Sequence, residues 1–184
     1  MSSPRFPRIE DARSTSLSTP VVEIIEAVLP CLRTTDLAGI RKILLLDREY
    51  ERRPDGKRSA GRYVPVDGTR MADIELYIQN HVDAVPTELK SNRLFLTWLL
   101  AGTLLHELFH HRVRGQARER RPETRAEETK ASRQADAEAS RILFLLFPTK
   151  QYCDEHTHVR RVLDEAGWQR ATDASKAIPS DERV

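Results

Sequence analysis

The sequence predicts an α+β protein, with one helix and three strands in its first half and long helices in its second. Three observations predict this. Between residues 19 and 80, short apolar segments are separated by Pro, Gly and charged residues at spacings that suit one helix followed by strands. From residue 92 onward, apolar and small residues recur every three or four positions over long stretches. Within that half, the run from Leu94 to Leu105 is apolar all round, as in a helix lying inside a core. The 184 residues suit a single domain large enough to bury such a core.

Residues 1–17 hold Pro, Ser and charges without periodicity and read as a disordered tail, as do residues 179–184, which leaves 18–178 as the domain. A helix is expected from Thr19, where Val21, Val22, Ile24, Ile25, Val28 and Leu29 recur at helical spacing; Pro20 suits its first turn and Pro30 ends it soon after. The short apolar run IRKILLLD (40–47) suits a buried strand. ERRPDGKRSAG (51–61) then supplies a turn at Asp55-Gly56, and RYVPV (62–66) reads as a second strand, demoted by Pro65 towards an edge or a bulge. DIELYIQN (73–80) alternates Ile74, Leu76 and Ile78 with polar residues and Tyr77, so it is expected to be a third strand with one buried face. A helix follows from Asn92 to Val113, with Ser91 as N-cap and Gly115 as its stop. An arginine-rich connection leads to a helix from about Pro122 to Phe147, ended by Pro148, and a last helix covers about 156 to 175.

Charge and cysteine content exclude more than they assign. With 30 basic and 28 acidic residues, the net charge of +2 selects no polyanionic partner. Six arginines lie between residues 112 and 125, but Glu119 and Glu123 interrupt them and no aromatic residue is interleaved, which argues for a solvated loop and against a nucleic-acid surface. Only Cys31 and Cys153 are present, so no disulfide framework is expected and a reducing compartment is the default. No apolar leader segment precedes Glu10, and the run from Leu94 to Leu105 is too short to span a bilayer. A cytoplasmic protein without a membrane partner is expected.

The stretch TLLHELFHHRVRG (103–115) carries the chemistry. On a helix, His106 and His110 stand one turn apart on the same face, so their imidazoles can meet at one point as two ligands of a zinc ion. Glu107 lies on the adjacent surface, where its carboxylate can reach a water at the open metal position without itself ligating. This HExxH pattern interrupts the most apolar helix of the chain, where polar groups without partners are costly and a metal would satisfy them. The competing reading is a helix end whose histidines merely reach solvent.

A third ligand is sought on the following helix. Ala131, Ala135, Ala139, Ile142 and Leu146 form its buried stripe, and one turn further back the stripe reaches Glu128. Glu127 falls on the polar face with Gln134 and Arg141. Asp136 flanks the stripe and is the second choice, as ligand or as partner for the other ring nitrogen of a histidine.

HELFH followed by ETKASRQA (128–135) resembles the HExxH…ExxA(D/N)xxA arrangement of small gluzincins, the thermolysin-like zinc peptidases, and especially the compact ImmA/IrrE-type domains. The resemblance spans roughly residues 19–147. Ser132 departs from it, standing where that family usually has Asp or Asn. A competing register aligns Ala135-Asp136 with the family's Ala-Asp and puts Ser132 at the ligand position. DEAGW (164–168) resembles the glutamate motif of other HExxH proteins, which makes Glu165 a further candidate. The resemblance implies a zincin-like minimal metallopeptidase fold, with Zn²⁺ held by His106, His110 and Glu128. It also implies Glu107 as general base and a protein or peptide as substrate. An extended substrate is expected to pair alongside the strand preceding the active-site helix, DIELYIQN. His111, Tyr152, His156 and His158 are candidate oxyanion stabilisers. A pseudoenzyme that uses the same cleft to bind zinc or a partner is the alternative.

Overall fold

A computed structural model describes residues 6–14, 20–48, 59–83, 85–115 and 124–167. Its strands are β1 (Arg8–Asp11), β2 (Ile40–Leu46), β3 (Gly61–Pro65) and β4 (Ala72–Tyr77), and its helices are α1 (Val21–Val28), α2 (Thr34–Leu37), α3 (Ile78–Asp83), α4 (Arg93–Gly115), α5 (Arg125–Leu146) and α6 (Thr149–Glu165). The architecture is α+β. The strands form one mixed sheet in the order β1-β2-β4-β3, parallel except for β3, which runs antiparallel to β4.

Register decides which face of this sheet is buried. Ile43 pairs with Ile74 and Leu45 with Leu76, so four side chains with no exposed surface share one face. Onto the same core pack Ile24, Ile25 and Val28 of α1, Leu100, Leu104 and Leu108 of α4, and Ala139 and Ile142 of α5. Each fully buried aliphatic side chain contributes about 1.5–3 kcal/mol relative to exposure. The stripe Ala131, Ala135, Ala139 is buried, as its spacing predicts, and such small side chains let α5 lie close against α4. A second cluster, Val85, Leu89, Phe95, Leu99, Val159 and Val162, fastens α6 to the start of α4. Among the described residues, no helix is long and apolar enough to cross a membrane.

Several elements differ from the sequence expectation. Residues 8–11, placed in a disordered tail, form β1, because backbone pairing with β2 and an ion pair of 2.9 Å between Glu10 and Lys42 recruit a segment that has no apolar periodicity. The strand expected over 73–80 ends at Tyr77, and Ile78 opens α3. Both its faces are buried, since Asp73 is covered through its ion pair with Arg41 at 2.5 Å and the Tyr77 hydroxyl donates to Glu75 at 2.6 Å. Asp55-Gly56 lies outside the described residues, and the strands on either side of it are not neighbours, because β4 runs between them. Asn92, not Ser91, caps α4, its Oδ1 accepting the Phe95 N–H at 2.8 Å. The last helix begins directly after Pro148 instead of near residue 156. Pro65 does lie on an edge strand, where its missing N–H breaks no ladder.

Candidate metal centre

The helix α4 sets His106 and His110 one turn apart, with their rings edge to face and their Nε2 atoms 2.9 Å from each other. The third donor comes from α5, whose first turn is locked by a capping box. The Thr124 hydroxyl accepts the Glu127 N–H at 3.2 Å, while the Glu127 carboxylate accepts the Thr124 N–H at 3.0 Å. Glu128 follows directly and reaches across to α4, Oε2 lying 3.2 Å from Nε2 of His106 and Oε1 3.7 Å from Nε2 of His110.

Donor atoms of His106, His110 and Glu128 thus lie within 4.8 Å of one another, and among the described residues this is the one group of three such side chains that can hold a metal ion. The geometry fits zinc. Ligands at 2.0–2.1 Å in a tetrahedron stand roughly 3.3 Å apart, a spacing that the observed separations bracket. Two imidazoles and a carboxylate are also the donor types zinc takes. Neither Asp136 nor Glu165 joins the group; Glu165 lies at the end of α6, paired with Arg161 at 3.1 Å.

Around this group the surroundings are specific. The Ser132 hydroxyl is 3.4 Å from Nδ1 of His106, the ring nitrogen that must carry a proton if Nε2 is to ligate. Glu107 is 7% exposed and is not part of the donor group; its Cγ and Oε1 lie against Gly61 of β3. That contact follows from register, because Gly61 and Tyr63 pair with Leu76 and Ile74 and so face α4.

The strand expected to receive a substrate, β4, is paired on both sides and has no free backbone edge. Among the described residues, the edge strand beside α4 is β3. This reverses the sequence expectation, which had no means of seeing that the chain inserts β4 between β2 and β3.

The four candidate oxyanion stabilisers are not brought into the group either. His111 is buried and engaged at both nitrogens. Its Nε2 donates to the Ala38 carbonyl at 2.8 Å, which leaves Nδ1 to accept from the Tyr63 hydroxyl at 3.4 Å. Tyr152 and His156 stack on each other, with Tyr152 also against Phe144. Since a helix rises 1.5 Å per residue, Phe144 lies about 24 Å along α5 from Glu128. His158 is exposed on α6 beside Arg161.

No protein-family model, curated protein or solved structure matches this chain.

Proposed function

We propose that the protein is a zinc-dependent metallopeptidase in which His106, His110 and Glu128 hold the metal and Glu107 is the general base. The observation that carries this reading is the convergence of three donors from two helices in a spacing that suits zinc, with a buried carboxylate next in sequence to one of them. Zinc bound there supplies Lewis acidity, polarising a peptide carbonyl and lowering the pKa of a water to near neutrality.

The chain's own groups do the rest. Glu107 accepts the water's proton as the new C–O bond forms, then delivers it to the departing amine nitrogen as the C–N bond breaks. Its burial excludes bulk water from the transfer. Ser132 holds the His106 ring in the tautomer that leaves Nε2 free for the metal. An extended peptide pairs with the outer edge of β3, which supports the Glu107 side of the site.

Metal analysis of the purified chain tests this reading, together with mass spectrometry of a peptide mixture incubated with it. About one zinc per chain is expected, lost in His106→Ala and in His110→Ala, along with new peptide termini that a chelator abolishes. A protein that cannot be loaded with zinc overturns the proposal. Zinc binding without cleavage assigns a non-catalytic metal-binding module instead.

A further inference from the structure

We propose that the cavity between α4, α5 and the turn after α1 binds a small apolar monocarboxylic acid, with its carboxylate on Arg112. This site is separate from the metal centre. Leu105, Leu108 and Arg112 recur every three or four residues and line the cavity from one face of α4, whereas none of His106, Glu107, His110 and Glu128 takes part in it.

The cavity holds about 680 Å³, within the roughly 300–1,000 Å³ that small-molecule sites occupy. Its floor is apolar. Leu32, Leu108 and Ala135 are buried there, with Leu105 half-buried beside them, so a hydrocarbon body lying on them would lose its contact with water. Charged groups line the same cavity: Arg33, Arg112 and Arg141 against Asp36 and Glu138, a surplus of one positive charge.

Hydrogen bonding shows which cation is the surplus. Arg33 is committed to Asp36 through Nε at 3.0 Å, and Arg141 to Glu138 at 2.6 Å and to the Cys31 carbonyl at 2.9 Å. Arg112 is held differently. Its Nη1 lies 3.6 Å from Asp36 and its guanidinium carbon 5.7 Å from the centre of the Phe109 ring. These contacts fix the group in place, yet at that separation they occupy none of its N–H donors in a hydrogen bond with the described residues. The Glu138 carboxyl is held below its ordinary value by Arg141 first, then by Arg33 and Arg112, so the three guanidiniums act on one shared volume. A carboxylate matches the guanidinium fork and carries the single charge that the surplus balances. A dianion such as a phosphate monoester brings a second charge, which Asp36 and Glu138 repel.

Calorimetry on the full chain, as purified and after chelator treatment, measures the binding of octanoate, octanol and octyl phosphate at neutral pH, and amide NMR shifts locate it. Octanoate should bind once per chain with the same affinity before and after chelation, shifting the amides of Cys31, Leu105 and Ala135. Octanol should bind on the order of 10–10²-fold more weakly, the range for a hydrogen bond to a charged group, and Arg112→Gln should weaken octanoate by a similar factor. Octyl phosphate should bind more weakly than octanoate. Arg160→Gln, at an exposed position on α6, should bind as wild type does. Equal affinity for octanoate and octanol overturns the proposal, as does no binding of octanoate. Binding that disappears on chelation also overturns it, because the carboxylate is then on a metal ion. So do shifts confined to the exposed Phe144 and Leu145, which place the acid on a different surface. If Arg112→Gln does not fold, the comparison of octanoate with octanol on the wild type decides, together with Arg112→Lys, which keeps the charge but loses the fork and should bind octanoate with intermediate affinity.

Discussion

The Ser132 hydroxyl stands 3.4 Å from Nδ1 of His106, one helical turn beyond Glu128 on α5. A ligating histidine is oriented by the partner of its other ring nitrogen, and a neutral hydroxyl at this distance is a weak partner compared with a carboxylate. Ser132→Ala should therefore weaken zinc affinity about 10-fold, at the low end for loss of such a partner. Ser132→Asp should strengthen it. Competition with a chromophoric chelator measures both, and equal affinities for all three proteins would remove Ser132 from the site.

Neighbouring glutamates on α5 should separate cleanly. Glu128→Ala removes a donor and should cost at least the roughly 10-fold of an outer partner in zinc affinity. Glu127→Ala removes half of the capping box instead. Its cost should appear in stability, as should that of Thr124→Ala, at about 1 kcal/mol for a lost N-cap. Denaturant titration of the metal-free protein and zinc titration of the folded protein read the two effects apart.

How far the sequence foretold this site depends on the range of the interaction. His106, His110 and the alanine stripe leading back to Glu128 are all read from helical periodicity, which needs only local spacing. Thr124 and Glu127 are legible in the same way, as a Ser/Thr-x-x-Glu pattern opening a helix. Contacts made through the sheet were not legible. Gly61 lies 46 residues before Glu107 and meets it only because β4 is inserted between β2 and β3, a matter of topology that no local pattern encodes. The same holds for β1, whose four residues form a strand through pairing with β2 and carry no alternation of their own.

A pH dependence follows from the α4–α5 flank. Arg141 bonds Glu138 at 2.6 Å and the Cys31 carbonyl at 2.9 Å, tying α5 to the turn after α1. The Arg141 guanidinium, aided by Arg33 and Arg112, holds the Glu138 carboxyl below its ordinary value of 4.5. A carboxyl lowered on folding stabilises the native state above its unfolded pKa and loses that contribution as pH falls through the folded one. Glu138→Gln should thus be less stable than wild type at pH 7, by no more than about 1 kcal/mol because the pair is partly exposed. The gap should close as pH falls below 4.5. Urea titrations at several pH values check this, and a gap that widens in acid would contradict it.

Glu107 bears the strongest test of the chemistry. It is buried, lies beside a donor residue without belonging to the donor group, and rests against β3, so its substitution should leave the metal ligands undisturbed. Glu107→Gln keeps the side chain's size and hydrogen-bonding reach but removes its capacity to take a proton at neutral pH. Zinc should remain bound with unchanged affinity. Peptide hydrolysis should fall by roughly 10²–10⁴-fold, the range for a lost general base, and the loss should lie in kcat with KM little altered. A module that only binds zinc or a partner gives a different pattern, with no turnover in either protein and binding that survives the substitution. If the wild type cleaves and Glu107→Gln cleaves as fast, the proton goes to some other group, and the buried carboxylate against Gly61 serves the fold and not the reaction.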